Sequence, residues 1–197
     1  MNSFRARWQK VNPALRYMLL VVGILMGLAF LFPPEEQPLD LSTARYGTTS
    51  DKRLYFQNVR SYYYHQDRQS KEPMVIYRLK KRSAALDSVS LPLDIVQNPQ
   101  QGSAFLQIKP GAAYPAVDSL QICFSDSLQP AWLHEEMSWQ EHFRLGGKVY
   151  AALENEFAVY LTAQGDTLGR PYARAKNRQN ALTVLDDFFN LIQKPST

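Results

Sequence analysis

The chain has 197 residues, with 22 Lys and Arg against 18 Asp and Glu, a net charge of +4 and a pI near 9.1. Arg5, Arg7, Lys10 and Arg16 supply the whole excess, so the rest is neutral and nucleic-acid binding is not expected. The single cysteine, Cys123, excludes an internal disulfide and lies too far along the chain for a lipoprotein anchor.

The leading residues 1–16 are basic and lack acids, and residues 17–32 carry no charge. Sixteen helical residues rise about 24 Å, against a hydrocarbon core of roughly 30 Å. Extension back to Val11 meets only Arg16, whose guanidinium can snorkel to the headgroups. Pro13 suits a helix start, while Pro33 and Pro34 end the helix before Glu35 and Glu36. A transmembrane signal anchor over 17–32 is expected. The positive-inside rule places residues 1–16 in the cytoplasm and everything beyond the span outside it, in the periplasm of a Gram-negative cell. A cleavable signal peptide is the rival, but the small residues Gly27 and Ala29 lie inside the apolar run. Gly23 and Gly27, spaced Gly-x-x-x-Gly, are candidate helix-packing positions.

A Pro-rich stalk over 33–41 precedes one extracytoplasmic domain, 42–197. Charge is uneven within it: residues 45–82 hold ten basic and three acidic residues, and residues 83–156 hold three and nine. The two parts are expected to pair across one fold, with a basic face toward headgroups or an acidic partner as the alternative.

Aromatic richness predicts a long strand over 53–64. A second strand is expected over 74–81, and period-two alternation predicts an edge or bulged strand over 89–96, because Pro92 cannot donate to a ladder. Further strands are expected over 104–109 and 119–124. A short helix over 132–137 and a hairpin of 138–145 with 148–153, turning at Gly146-Gly147, come next. The rival for that region is a helix over 149–161. A strand over 157–163 then turns at Gln164-Gly165-Asp166. Ala181, Val184, Leu185, Phe188 and Ile192 follow helical spacing, with Asn177 or Asn180 as the cap and Pro195 as the stop. The expected fold class is α+β: one N-terminal transmembrane helix, then an antiparallel sheet packed by a C-terminal amphipathic helix.

Motifs for catalysis are weak. His134-Glu135-Glu136-Met137-Ser138 has serine where a zinc-protease helix needs its second histidine, and His142 restores no closed ligand set. Cys123 with His65, His134 or His142 could form a nucleophile–base pair only if the fold brings them together. The glycines at 146–147 and 165–169 read as turn chemistry. No metal or cofactor is expected.

Arg60, Tyr62, Tyr63, Tyr64 and Arg68 form the candidate interaction surface, since tyrosine and arginine are enriched in binding hot spots. The expected function is a non-enzymatic interaction or accessory protein of the cell envelope, held to a membrane-protein partner or a surface polymer. An anchored hydrolase with scattered catalytic residues and a tyrosine-lined glycan-binding module are the alternatives.

Overall fold

The computed structural model describes residues 12–31, 46–68, 73–81, 89–111, 119–125, 129–134 and 136–192. The expected cytoplasmic segment before Asn12, residue Phe32 and the stalk over 33–41 lie outside the described residues, as do Lys194 and Pro195. The chain forms two compact units, Met1–Pro38 and Leu39–Thr197.

The first unit contains α1, Pro13–Leu31. The Ala14 N–H donates to Asn12 Oδ1 at 3.0 Å, satisfying one of the orphan donors of the first turn. Leu15, Tyr17, Met18, Leu20, Val21, Val22 and Ile24 are all exposed. Among the described residues no helix is long and apolar enough to cross a membrane. The side chains of 25–31 lie outside those residues. Residues 17–31 of the expected span over 17–32 are therefore found as a helix but not supported as a crossing.

The second unit is α+β, with two antiparallel sheets rather than the single sheet expected. Helix α2, Ser50–Tyr55, continues through a π turn, Phe56–Arg60, and a 3₁₀ turn, Ser61–Tyr63. The first sheet is a meander in the order β1–β2–β3–β4: Tyr64–Arg68, Val75–Leu79, Leu93–Asn98 and Ser103–Ile108. The second has the order β6–β5–β7–β8, built from Ser119–Phe124 (β5), Ala131–His134 (β6), Val159–Ala163 (β7) and Asp166–Gly169 (β8). Helix α3, Trp139–Glu154, connects β6 to β7 and packs on both β4 and β7, while α4, Ala175–Leu191, packs on β3 and β4. The expected cover of a sheet by the C-terminal helix is observed.

A single hydrophobic cluster joins the layers. Tyr64, Tyr77, Ile95 and Leu106 from the first sheet meet in it with Leu120, Ile122 and Leu161 from the second and Phe143, Leu185 and Phe188 from the helices. Two β-turns illustrate the local rules. Asn98 Oδ1 accepts from the N–H groups of Gln100 and Gln101, holding the β3–β4 turn in which Gly102 takes φ 60°. Gln164 and Gly165, at φ 52° and 92°, close the β7–β8 hairpin at the position expected for it.

Six readings are corrected. Residues 53–63 are helical, and only Tyr64 begins a strand. Phe56 is buried while Leu54, Tyr55 and Val59 are exposed, a one-sided burial at helical spacing. Residues 132–134 belong to a strand, not a helix. The hairpin at 138–153 is instead α3: Ser138 Oγ accepts from the Glu141 N–H, and the Glu141 carboxylate accepts from the Ser138 N–H, a capping box that fixes the start. The rival helix at 149–161 holds only over 149–154, because the helix is α3, which ends at Glu154, and β7 follows. The strand expected at 89–96 runs Leu93–Asn98 and is central, paired on both sides and buried throughout, since Pro92 lies just before the ladder. Finally, Arg174 rather than Asn177 or Asn180 precedes α4, without a side-chain cap bond.

Candidate functional site

The helical run 50–63 and the C-terminal half of α4 enclose an open cleft of about 480 Å³ in the second unit. Asp51, Lys52, Tyr55, Phe56 and Arg60 line one wall, and Asp186, Asp187, Asn190 and Leu191 the other. The π turn brings Arg60 onto Asp187: Arg60 Nε donates to Oδ1 at 2.6 Å, and its terminal nitrogen donates to Oδ2 at 3.0 Å. Tyr64 Oη donates to the same Oδ2 at 2.6 Å. Nearby, Tyr150 Oη donates to Asp186 Oδ1 at 2.7 Å, and Lys52 Nζ donates to the Ile192 carbonyl at 3.1 Å.

These contacts define what the cleft can do. Burial, reinforced by the Asp187 hydrogen bond, pushes the Tyr64 phenol far above its ordinary value. Burial and the Asp186 bond do the same for Tyr150. Both phenols therefore remain donors, and neither can act as a phenolate base or nucleophile near neutrality. The hydrogen bond to Asp187 likewise raises the Arg60 guanidinium further. The cluster is a charge-assisted pin between the first strand and the last helix.

The structure divides the expected interaction surface. Tyr62 and Tyr63 are exposed at 76% and 43%, whereas Tyr64 is 2% exposed and belongs to the core. The Tyr62 and Tyr63 rings meet edge to face at 5.8 Å. The Lys80 ammonium lies 4.9 Å from the Tyr62 centroid, and the Arg60 guanidinium lies 5.3 Å from that of Tyr63. Arg68 is exposed at the end of β1. Leu54, Tyr55 and Val59 extend the exposed aromatic–aliphatic face along the helix. They were missed because a strand reading scatters them over two faces. Asp187 was missed too, although it stands beside Phe188 on the apolar stripe of α4, where a carboxylate demands a partner.

No known protein family, curated protein or solved structure matches this chain. Its chemistry rests on its own geometry.

The catalytic candidates do not converge. Cys123 Sγ lies 3.8 Å from Thr162 Oγ1, and His142 Nδ1 accepts from the Ile108 N–H at 3.3 Å. His65 and His134 are exposed on β1 and β6. Among the described residues no group of three or more His, Cys, Asp or Glu could hold a metal ion. In the first unit Gly23 has open space around it, and Gly27 lies in α1 where its surroundings are outside the described residues.

His142 predicts a pH effect on folding. Burial holds its imidazole below the ordinary value of 6.5, opposed by Glu141 and assisted by His134 and Lys109. The unfolded chain takes up this proton first as pH falls. The stabilisation is thus complete above about 6.5 and is lost as pH drops toward the lowered folded value. Thermal melting should fall from about pH 7.5 to about pH 5.5, and fall less in His142→Asn, whose amide oxygen can still accept from Ile108. Identical pH profiles for the two proteins would refute this role.

Proposed function

We propose that the chain is a membrane-anchored interaction protein of the cell envelope, with α1 as a signal anchor, residues before it in the cytoplasm and the α+β domain displayed outside. The observation that carries this reading is the exposure of seven large apolar side chains along α1, from Leu15 to Ile24, in a run that carries no charge from Tyr17 onward. A water-soluble helix has a polar face, whereas a helix that is apolar all round needs an apolar surrounding. Nineteen residues rise about 28 Å, close to the hydrocarbon thickness. The basic residues Arg5, Arg7, Lys10 and Arg16 at its leading end set the orientation.

The reading is non-enzymatic because Asp186 and Asp187 of the cleft are already engaged, by Tyr150 and by Arg60 with Tyr64. The domain instead offers the exposed face from Leu54 to Tyr63. Gly23 and Gly27 give the anchor a close-approach seam for a membrane partner. Exposed Tyr62 and Tyr63 also favour a second reading, a tyrosine-lined module that stacks on a surface glycan.

Alkaline phosphatase fused after residue 197 tests the anchor, since that enzyme matures only outside the cytoplasm. An active fusion that resists alkaline carbonate extraction, and becomes inactive when residues 17–32 are deleted, is expected. An inactive full-length fusion, or one released by carbonate, would overturn the reading.

A further inference from the structure

Large exposed apolar side chains are not spread evenly over the second unit. Among its described residues they are Leu54, Tyr55, Val59, Tyr62, Tyr63, Trp132 and Phe157, so five of seven fall within ten consecutive positions. Solvent-facing apolar residues gathered in this way mark an interaction site. Tyr55, Val59 and Tyr62–Tyr63 recur at intervals of one helical turn, which lines them up along the run beside the cleft, with Tyr55 in the cleft wall and the Arg60 guanidinium over the Tyr63 ring. The Arg60–Asp187 pin fixes this run against α4 at the edge of the face.

The charge around this face selects its occupant. Segment 50–63 carries Lys52 and Arg53 against one acid, Asp51, besides Arg60, whose charge is paired with Asp187. Lys80 and Lys81 are exposed beside it, with Lys80 Nζ donating to the Tyr62 carbonyl at 2.7 Å. Lysine is depleted in protein–protein interfaces. Tyrosines flanked by lysines and a few aliphatic side chains are instead the composition of a membrane–water interface, with rings at headgroup depth and ammonium groups on the phosphates. Only residues 32–45 separate α1 from Tyr46, and fourteen residues span at most roughly 50 Å whatever their shape. A bilayer that holds α1 is therefore always within reach of the domain.

We propose that the face formed by Leu54, Tyr55, Val59, Tyr62 and Tyr63, with Lys80 and Lys81 at its rim, docks on the anionic phospholipid surface of the membrane that holds the anchor. This rests on the anchored reading. Docking fixes the domain against the bilayer and withdraws this face from other partners.

The test uses the full chain with Cys123→Ser, which leaves it free of cysteine, reconstituted into phosphatidylcholine vesicles with or without phosphatidylglycerol. Spin labels are placed singly through Asn58→Cys on the face, Ile24→Cys in the anchor and Asp166→Cys at the exposed start of β8 in the second sheet. Accessibility to dissolved oxygen and to an aqueous nickel complex reports depth. The expected result is a buried label at 24, an aqueous one at 166 and one at headgroup depth at 58. Phosphatidylglycerol should raise the oxygen-to-nickel ratio at 58 several-fold, and Tyr62→Ser with Tyr63→Ser should abolish that rise without lowering the melting temperature. If 24 is buried but 58 matches 166 in both vesicles, docking is overturned and the anchor stands. A label at 58 shielded from both reagents means a protein surface covers it, which also overturns docking. If 24 matches 166, the anchored reading fails and this proposal falls with it.

Discussion

Asp187→Ala should cost the protein about 3 kcal/mol, read by urea unfolding as a lower midpoint with an unchanged slope. The carboxylate is 7% exposed and receives three hydrogen bonds, two from Arg60 and one from Tyr64. Its removal orphans a phenol that is 2% exposed and a guanidinium. Breaking a fully buried ion pair costs about 3–5 kcal/mol, and the Arg60 side chain keeps 28% of its surface in water, which places this case at the low end. For a domain of this size the corresponding drop in melting temperature is about 10 °C.

The distribution of that loss is testable. Tyr64→Phe removes one donor and leaves Asp187 with both Arg60 bonds, so it should cost only about 1 kcal/mol. Added to Asp187→Ala it should cost almost nothing more, because the hydroxyl has already lost its acceptor. Fully additive losses would mean that the Tyr64 hydroxyl and Asp187 stabilise the fold separately, contrary to the 2.6 Å bond. The pin ties the segment entering the first sheet to the final helix, 123 to 127 residues along the chain, so its loss should also loosen the cleft wall that carries the exposed face.

Which parts of this fold were legible follows from the range of the forces involved. The strand over 119–124 and the helix around 181–192 announce themselves through local apolar periodicity, and both are where the pattern puts them. The Gln164-Gly165 turn is likewise local. Residues 53–63 failed because aromatic content was taken as strand propensity, whereas packing of Phe56 against Tyr64 and Tyr77 decides the conformation. Residues 138–153 failed although the sequence held the answer: Ser138-x-x-Glu141 is a helix-start signature, outweighed there by the glycine pair. At the candidate site Tyr62 and Tyr63 were legible as surface, while Tyr64 was not separable from them without knowing where the strand begins. Asp187 is a non-local case, since its partners lie in a segment whose secondary structure was misread.

Gly146→Leu should destabilise the domain by about 3 kcal/mol, for the reason that makes this glycine part of a helix rather than a turn. A Cβ at position 146 would stand 2.2 Å from Leu106 Cδ2 and 3.7 Å from Leu185 Cδ2. Leu106 and Leu185 are 1% and 0% exposed, so neither can swing into solvent. The gain in helix propensity over glycine, about 1 kcal/mol, is too small to offset the overpacking of α3 against β4. Leu106→Ala alone should cost about 3 kcal/mol by leaving a cavity on the opposite side of the same contact. The double variant Gly146→Leu with Leu106→Ala exchanges one leucine for another across the gap, and should therefore be more stable than the sum of the two losses by at least 2 kcal/mol. Urea unfolding of the four proteins reads the coupling directly. A double variant that simply adds the two costs would show that Gly146 does not face Leu106, and the packing of α3 on the first sheet would have to be redrawn.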